Sequence, residues 1–258
     1  MLIFATLFGS LAAIADEGFH IFECMGNYDT PLIPGSEYRV HDKDRPQPPY
    51  VTPPAASESA PVSAPSDAIV LFDGSSMDQF GETEWKIVDG VLVAGKGNIV
   101  TCKPFGDCQL HVEWRAPNPP SGNSCSMGNS GLKFMYQYEL QIFDSYSCKI
   151  YADGSAAAIY GQSPPLVNVS RKPGEWQTFD VVFTAPDFED GELKKPGSMT
   201  VFHNGVLVQQ NTEILGPTTH KNTKPYKAHK RRLPLMIQGH NSPVEFRNIW
   251  IRDLEVKN

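Results

Sequence analysis

Cys108-Gln-Leu-His-Val-Glu-Trp-Arg115 is the stretch on which the fold turns. Cys108, Leu110, Val112 and Trp114 alternate with Gln109, His111, Glu113 and Arg115, a period of two that gives a β-strand one apolar and one polar face. Cys108 accordingly reads as a buried thiol. Two segments, 85–94 and 200–208, place Asp89-Gly90 and Asn204-Gly205 between apolar β-formers. Such pairs accept the positive φ of a two-residue hairpin loop. Further strands are predicted over 68–72, 131–143, 176–184, 233–237 and 244–256, and no stretch keeps a helical period with caps. The pattern predicts an all-β protein, one antiparallel sandwich or jelly roll over 67–258.

Upstream of that body the composition changes. Residues 1–15 are apolar, carry no charged side chain and end in Ala13-Ile14-Ala15, which reads as a secretory signal with Asp16 as the mature start. Nine of the 22 prolines lie in the first 66 residues, and 16–66 reads as a proline-rich extended arm. Its aromatic residues Phe19, Phe22, Tyr28, Tyr38 and Tyr50 predict that parts of it lie along the body, and self-association through the arm is a further expectation. The expected location is periplasmic or extracellular. No second segment is long enough to span a bilayer. A net charge of −7 argues against general nucleic-acid binding, which needs a surplus of Lys and Arg. The five cysteines form no Cys-x-x-Cys pair. In an exported protein Cys125 with Cys148 is the favoured bridge, leaving Cys24 free or bonded to a neighbouring chain.

Tyr138-Glu-Leu-Gln-Ile-Phe-Asp144 carries the best candidate for chemistry. Period-two geometry puts Glu139 beside Gln141 and turns Leu140 and Ile142 to the core. Gly128-Asn-Ser-Gly131, just upstream, has small residues that let a ligand approach the backbone. Such a face suits a sugar, and pattern alone leaves an ordinary solvated strand face equally open. His240, in Gln238-Gly-His-Asn241, borders the same region on this reading. Glu139 and Asp144 are five residues apart, which puts them on opposite faces, and no Glu-x-Asp-x-x-Glu motif is present. Both facts argue against two-carboxylate glycoside hydrolysis. Lys221, Lys224, Lys227, Lys230, Arg231 and Arg232 form a run of cations with no acid among them. Its readings are a solvated loop or, less simply, a site for an anionic polymer.

Leu71-Phe-Asp-Gly74, Phe105-Gly-Asp-Cys-Gln-Leu-His-Val-Glu-Trp114, Gly128-Asn-Ser-Gly131, Tyr138-Glu-Leu-Gln-Ile-Phe-Asp-Ser-Tyr146, Ala158-Ile-Tyr-Gly161, Arg171-Lys-Pro-Gly-Glu-Trp-Gln177 and Phe246-Arg-Asn-Ile-Trp250 occur in this order. With them the chain resembles the 3-keto-disaccharide hydrolase family from Asp67 to the C-terminus. Tyr28-Asp-Thr-Pro-Leu-Ile-Pro34 and Arg45-Pro-Gln-Pro48 resemble the leader of one of its branches. The resemblance implies a concanavalin A-like β-sandwich acting on glycosides oxidised at C3, with a glycoside or oligosaccharide as partner. It implies Glu139, His240 and Asp144 as catalytic residues, and Asn129, Gln141, Gln137, Tyr160 and Arg115 as sugar-binding ones. No cofactor is certain, and a divalent cation on carboxylate and His ligands is compatible with it. Three positions depart from the family pattern: Gln137 where Arg is common, Gly239-His240-Asn241 where Asp-His-Gly is usual, and Lys133 at an apolar position. These departures leave a non-catalytic carbohydrate-binding or structural member as the other reading.

Overall fold

The computed structural model describes residues 22–55 and 63–255, so the signal expected at 1–15 lies outside the described residues. The first strands are β1 (Phe22–Glu23), β2 (Ile69–Phe72), β3 (Lys86–Val88), β4 (Val91–Val93), β5 (Ile99–Phe105) and β6 (Cys108–Arg115). Next come β7 (Ser130–Phe134), β8 (Tyr138–Ile142), β9 (Cys148–Lys149), β10 (Gln177–Thr184), β11 (Asp187–Glu189) and β12 (Glu192–Lys195). The last are β13 (Ser198–His203), β14 (Val206–Glu213), β15 (Leu233–Ile237) and β16 (Glu245–Asp253). One 3-10 turn, Ala152–Gly154, precedes β10, and no helix among the described residues is long and apolar enough to cross a membrane.

Two antiparallel sheets form a sandwich. The large sheet runs β14-β13-β10-β6-β16-β4-β3, with β2 also paired to β16, and the small sheet runs β5-β15-β7-β8. The expected inner row of β6, Cys108, Leu110, Val112 and Trp114, is fully buried and shares one core with Leu132, Leu140 and Ile142 of the small sheet. Phe134 stacks on Phe183 across the sandwich at 4.7 Å between centroids. Each such side chain contributes about 1.5–3 kcal/mol by leaving water. Asp89-Gly90 and Asn204-Gly205 make the expected two-residue turns, with φ of 50° and 76° and of 52° and 78°. The single strand expected over 131–143 is instead a hairpin, because Met135 and Tyr136 take φ of 54° and 63° and reverse the chain.

The polar row of β6 is not solvated as its alternation suggests. Its inner members His111 and Glu113 are buried, and His111 stacks on Trp250 at 5.0 Å while its Nδ1 lies 2.7 Å from Asp180. Glu113 accepts from Arg247 at 2.6 Å and from Asn248 at 2.8 Å. Burial by itself would lower the His111 pKa, but bonds to Asp180 and Glu113 prevail and raise it to about 9. Burial likewise opposes the charge on Glu113, yet His111, Asn248 and Arg247 together hold its pKa down to about 2. A raised histidine stabilises the fold fully below its unfolded pKa near 6.5 and loses that contribution as pH climbs through about 9. Thermal unfolding followed from pH 6 to 10 is therefore expected to show a decline between about pH 6.5 and 9, on the order of 1–3 kcal/mol, that His111→Gln abolishes.

The arm over 22–55 is built into this body. β1 pairs in parallel with β9, Asn168 N–H donates to the Pro49 carbonyl, and Arg45 donates to the Gln162 carbonyl at 2.9 Å. Val40 and His41 are fully buried. Cys24 forms a disulfide with Cys125, which corrects the expected Cys125–Cys148 bridge and removes Cys24 from bonding to a neighbouring chain. The β1–β9 pairing brings the arm cysteine to the loop that holds Cys125, and Cys148 remains a buried thiol whose pKa burial raises to about 12. Cys108 is the buried thiol its alternation predicts.

Candidate active site

The small sheet turns one face inward and the other toward a cleft of about 550 Å³. In the β7–β8 register Lys133 lies opposite Glu139 and Gly131 opposite Gln141, so these four share the outer face. On β15 the pairing of Met236 with Lys133 puts Gln238, two residues on, on that face too. Gly131 is required here for space. A Cβ on it would come within 2.7 Å of a Glu139 carboxylate oxygen and 3.0 Å of Gln238 Oε1.

Glu139 is buried and surrounded by donors. Gln238 Nε2 donates to its Oε2 at 3.3 Å, Lys133 Nζ stands 3.5 Å from the same oxygen, and the Gln141 amide, once turned so that its nitrogen and not its oxygen faces the carboxylate, donates to Oε1 at 3.0 Å. Burial raises the pKa of Glu139, and Lys133 and Gln238 pull against that rise. Because Gln238 spends its nitrogen on Glu139, its oxygen faces His240 Nε2 at 3.1 Å. Nε2 must then carry the imidazole proton, which leaves Nδ1 as an acceptor. Burial first and Lys133 second lower the His240 pKa, favouring this neutral form.

The opposite wall follows the far edge of β8, where Tyr160 N–H donates to the Glu139 carbonyl. The Tyr160 hydroxyl lies 3.1 Å from both Tyr151 Oη and His220 Nδ1. Burial raises the Tyr160 pKa, and burial, His41 and Lys221 lower that of His220. Beneath them His41, from the arm, packs on Tyr151 at 4.0 Å and Tyr160 at 4.9 Å, its backbone N–H bonded to Asp153 at 2.9 Å. Cys24, Met25 and Asn27 complete this side of the cleft.

Of the residues singled out in the sequence, Glu139, His240, Asn129, Gln141 and Tyr160 line the cleft. Asp144, Gln137 and Arg115 do not. Asp144 is buried below the sheet as a turn former, accepting from Ser147 N–H at 2.9 Å. Gln137 closes the β7–β8 turn, and its carbonyl accepts from Thr218. Arg115 lies on the large sheet, paired with Glu245 and stacked over Trp176 at 4.6 Å. Lys133, Gln238, His220 and the arm residues were missed as site members. Gln238 had a signal, since it shares the period-two face of His240, whereas His220 and the arm are brought in by loops. Among the described residues no three His, Cys, Asp or Glu gather to hold a metal ion. The donor set does not suit the divalent cation that the family resemblance allowed, for among the described residues Glu139 is the only carboxylate lining the cleft and an ammonium group already stands against it.

An all-β sandwich with an amide- and imidazole-lined cleft defines the class, that of carbohydrate-active β-sandwich proteins. The chain belongs to the 3-keto-alpha-glucoside-1,2-lyase-like domain family, whose match spans residues 67–252. It is similar to the crystal structure of a proposed glycosyl hydrolase from Parabacteroides distasonis ATCC 8503, with 39% identity over 90% of this chain and 100% of that one and a TM-score of 0.73. A second proposed glycosyl hydrolase from that organism shares the fold at 20% identity, covering 73% of this chain and 94% of its own, with a TM-score of 0.53. No curated protein matches the chain.

Proposed function

We propose that the protein is an exported enzyme that cleaves the glycosidic bond of 3-keto-glycosides by elimination followed by hydration. The observation that carries this reading is the pairing of a neutral, Nδ1-accepting His240 with Glu139, the one carboxylate among the described lining residues, held by three donors. Two free carboxylates, the requirement of ordinary glycoside hydrolysis, are not among the lining residues. A ketone at C3 acidifies the hydrogen on C2. His240 Nδ1 takes that proton, the C2–H electrons form the enolate, and the C3 oxyanion is stabilised by the Lys133 ammonium and the Asn129 amide. The enolate then expels the C1 substituent, whose oxygen takes the proton of Tyr160, leaving a C1=C2 enone. Water adds its hydroxyl to C1 and its proton to Tyr160, while His240 returns its proton to C2.

Glu139 acts in this scheme by orienting Gln238 and through it the His240 tautomer. The Cys24–Cys125 bridge supports an oxidising, exported setting. Incubation of the purified protein with a 3-keto-glucoside, followed by chromatography for free aglycone, tests the reading. Release by the wild type and its absence with the unoxidised glucoside are expected. Equal binding of both sugars without release would instead favour a carbohydrate-binding member of the family.

A further inference from the structure

The cation run at 221–232 is not an ordinary loop. Residues 223–230 run outside both sheets, and burial along 221–232 repeats every third residue. Thr223, Tyr226, His229 and Arg232 are half-buried, and every residue between them is exposed. A repeat of three is the signature of a polyproline-type ridge, and Pro225 favours it. The inward row is anchored. Tyr226 donates to the Ile214 carbonyl at 2.6 Å and accepts from Gly197 N–H, and His229 Nε2 lies 2.7 Å from the Tyr138 hydroxyl. Gly216 lets the Lys224 carbonyl sit where a Cβ would come within 2.2 Å.

With the inward row fixed, Lys224, Lys227 and Lys230 fall in a single outward row, about 9 Å apart at 3.1 Å per residue, and Lys221, with φ of 56° in the Thr219–Asn222 turn, stands just ahead of it. All four are exposed, and none forms an ion pair with the described residues. By contrast Arg231 and Arg232 are engaged by Asp107, Asp253 and Glu255. The turn that leads into the row lies at the cleft, since Lys221 lines it beside His220. Three ammonium groups at regular spacing, with Lys221 ahead of them and none ion-paired to the described residues, concentrate positive potential along one track on a protein of net charge −7.

We propose that this lysine ridge is a docking track for an acidic polysaccharide, one bearing uronate or sulfate groups, that leads a chain end to the cleft. The proposal rests on the reading of the cleft as a glycan site. Nucleic acid is less suited, because Asn222, Pro225 and Ala228 flank the ridge and offer no aromatic platform on which bases could stack. The test is affinity electrophoresis of the full protein through gels containing polygalacturonate, heparin or neutral dextran, at several salt concentrations. Retardation by the two acidic polymers and not by dextran is expected. The triple variant Lys224→Gln, Lys227→Gln, Lys230→Gln should lose at least tenfold in affinity and flatten the salt dependence. Lys86→Gln, on β3 at the end of the large sheet opposite β14, should bind as the wild type does. Unchanged binding by the triple variant, equal loss in the β3 control, or tighter binding to single-stranded DNA than to either acidic glycan would overturn the proposal. Release of aglycone from a small 3-keto-glucoside should be equal in wild type and triple variant, so failure of the ridge and failure of the catalytic reading are seen separately.

Discussion

His240→Ala is expected to lower kcat on a 3-keto-glucoside by about 10²–10⁴-fold, the range over which a positioned general base acts, with little change in KM or melting temperature. The side chain stands at the cleft rim, partly desolvated against Gln238 and otherwise open to solvent, so its loss opens no core cavity. The pH profile gives a second, independent readout. Neutral imidazole is the active form, and burial together with Lys133 lowers the His240 pKa, so activity should fall with pH only at a point below the ordinary histidine value of about 6.5. Lys133→Met removes the cation that disfavours imidazolium, and the acid limb should move up toward that value. The same variant loses the proposed oxyanion partner and should lower kcat as well. Activity within threefold of wild type for His240→Ala, or an acid limb unmoved in Lys133→Met, would sink the assignment of base and neighbour.

Much of this arrangement was legible in the sequence wherever local geometry decides it. The alternation around Leu110 and the Asp89-Gly90 and Asn204-Gly205 pairs gave strands and turns correctly, because period two and positive φ are properties of a few adjacent residues. The same logic put Glu139 and Gln141 on one face and kept Asp144 off it. Local reading failed at Met135-Tyr136, residues with no usual preference for positive φ, where tertiary packing of the β7–β8 pair imposes the turn. It also passed over the hairpin at Asp190-Gly191, since β11 and β12 carry mostly charged, exposed side chains and lack the apolar flanks that make such a pair persuasive. His111 and Glu113 looked like a solvated row, yet Trp250 and Arg247 from a strand more than 130 residues away bury them. Which cysteine meets Cys125 likewise depends on where the arm docks, a long-range fact that spacing does not encode.

The arm's role makes the second large effect. The family match begins at residue 67, whereas Cys24, Met25 and Asn27 line the cleft and His41 underlies Tyr151 and Tyr160, so the site is completed by chain outside the matched region. What holds that chain is a two-residue parallel pairing, a buried set of contacts around Val40 and His41, and one covalent link closing a separation of 101 residues. A loop of that length restricts the unfolded chain strongly, and losing the link costs about 2–5 kcal/mol. Cys24→Ser is therefore expected to lower the melting temperature and, by freeing the wall of the cleft, to raise KM several-fold while kcat changes less. Reductant should reproduce both effects in the wild type and add nothing to the variant. Cys148→Ser separates this from a general sensitivity to cysteine loss, because Cys148 is an inert buried thiol and its hydroxyl replacement should keep both the bridge and the KM. If peptide mapping instead finds Cys125 joined to Cys148, or if Cys24→Ser leaves KM untouched, the arm is a strap on the surface and no part of the site.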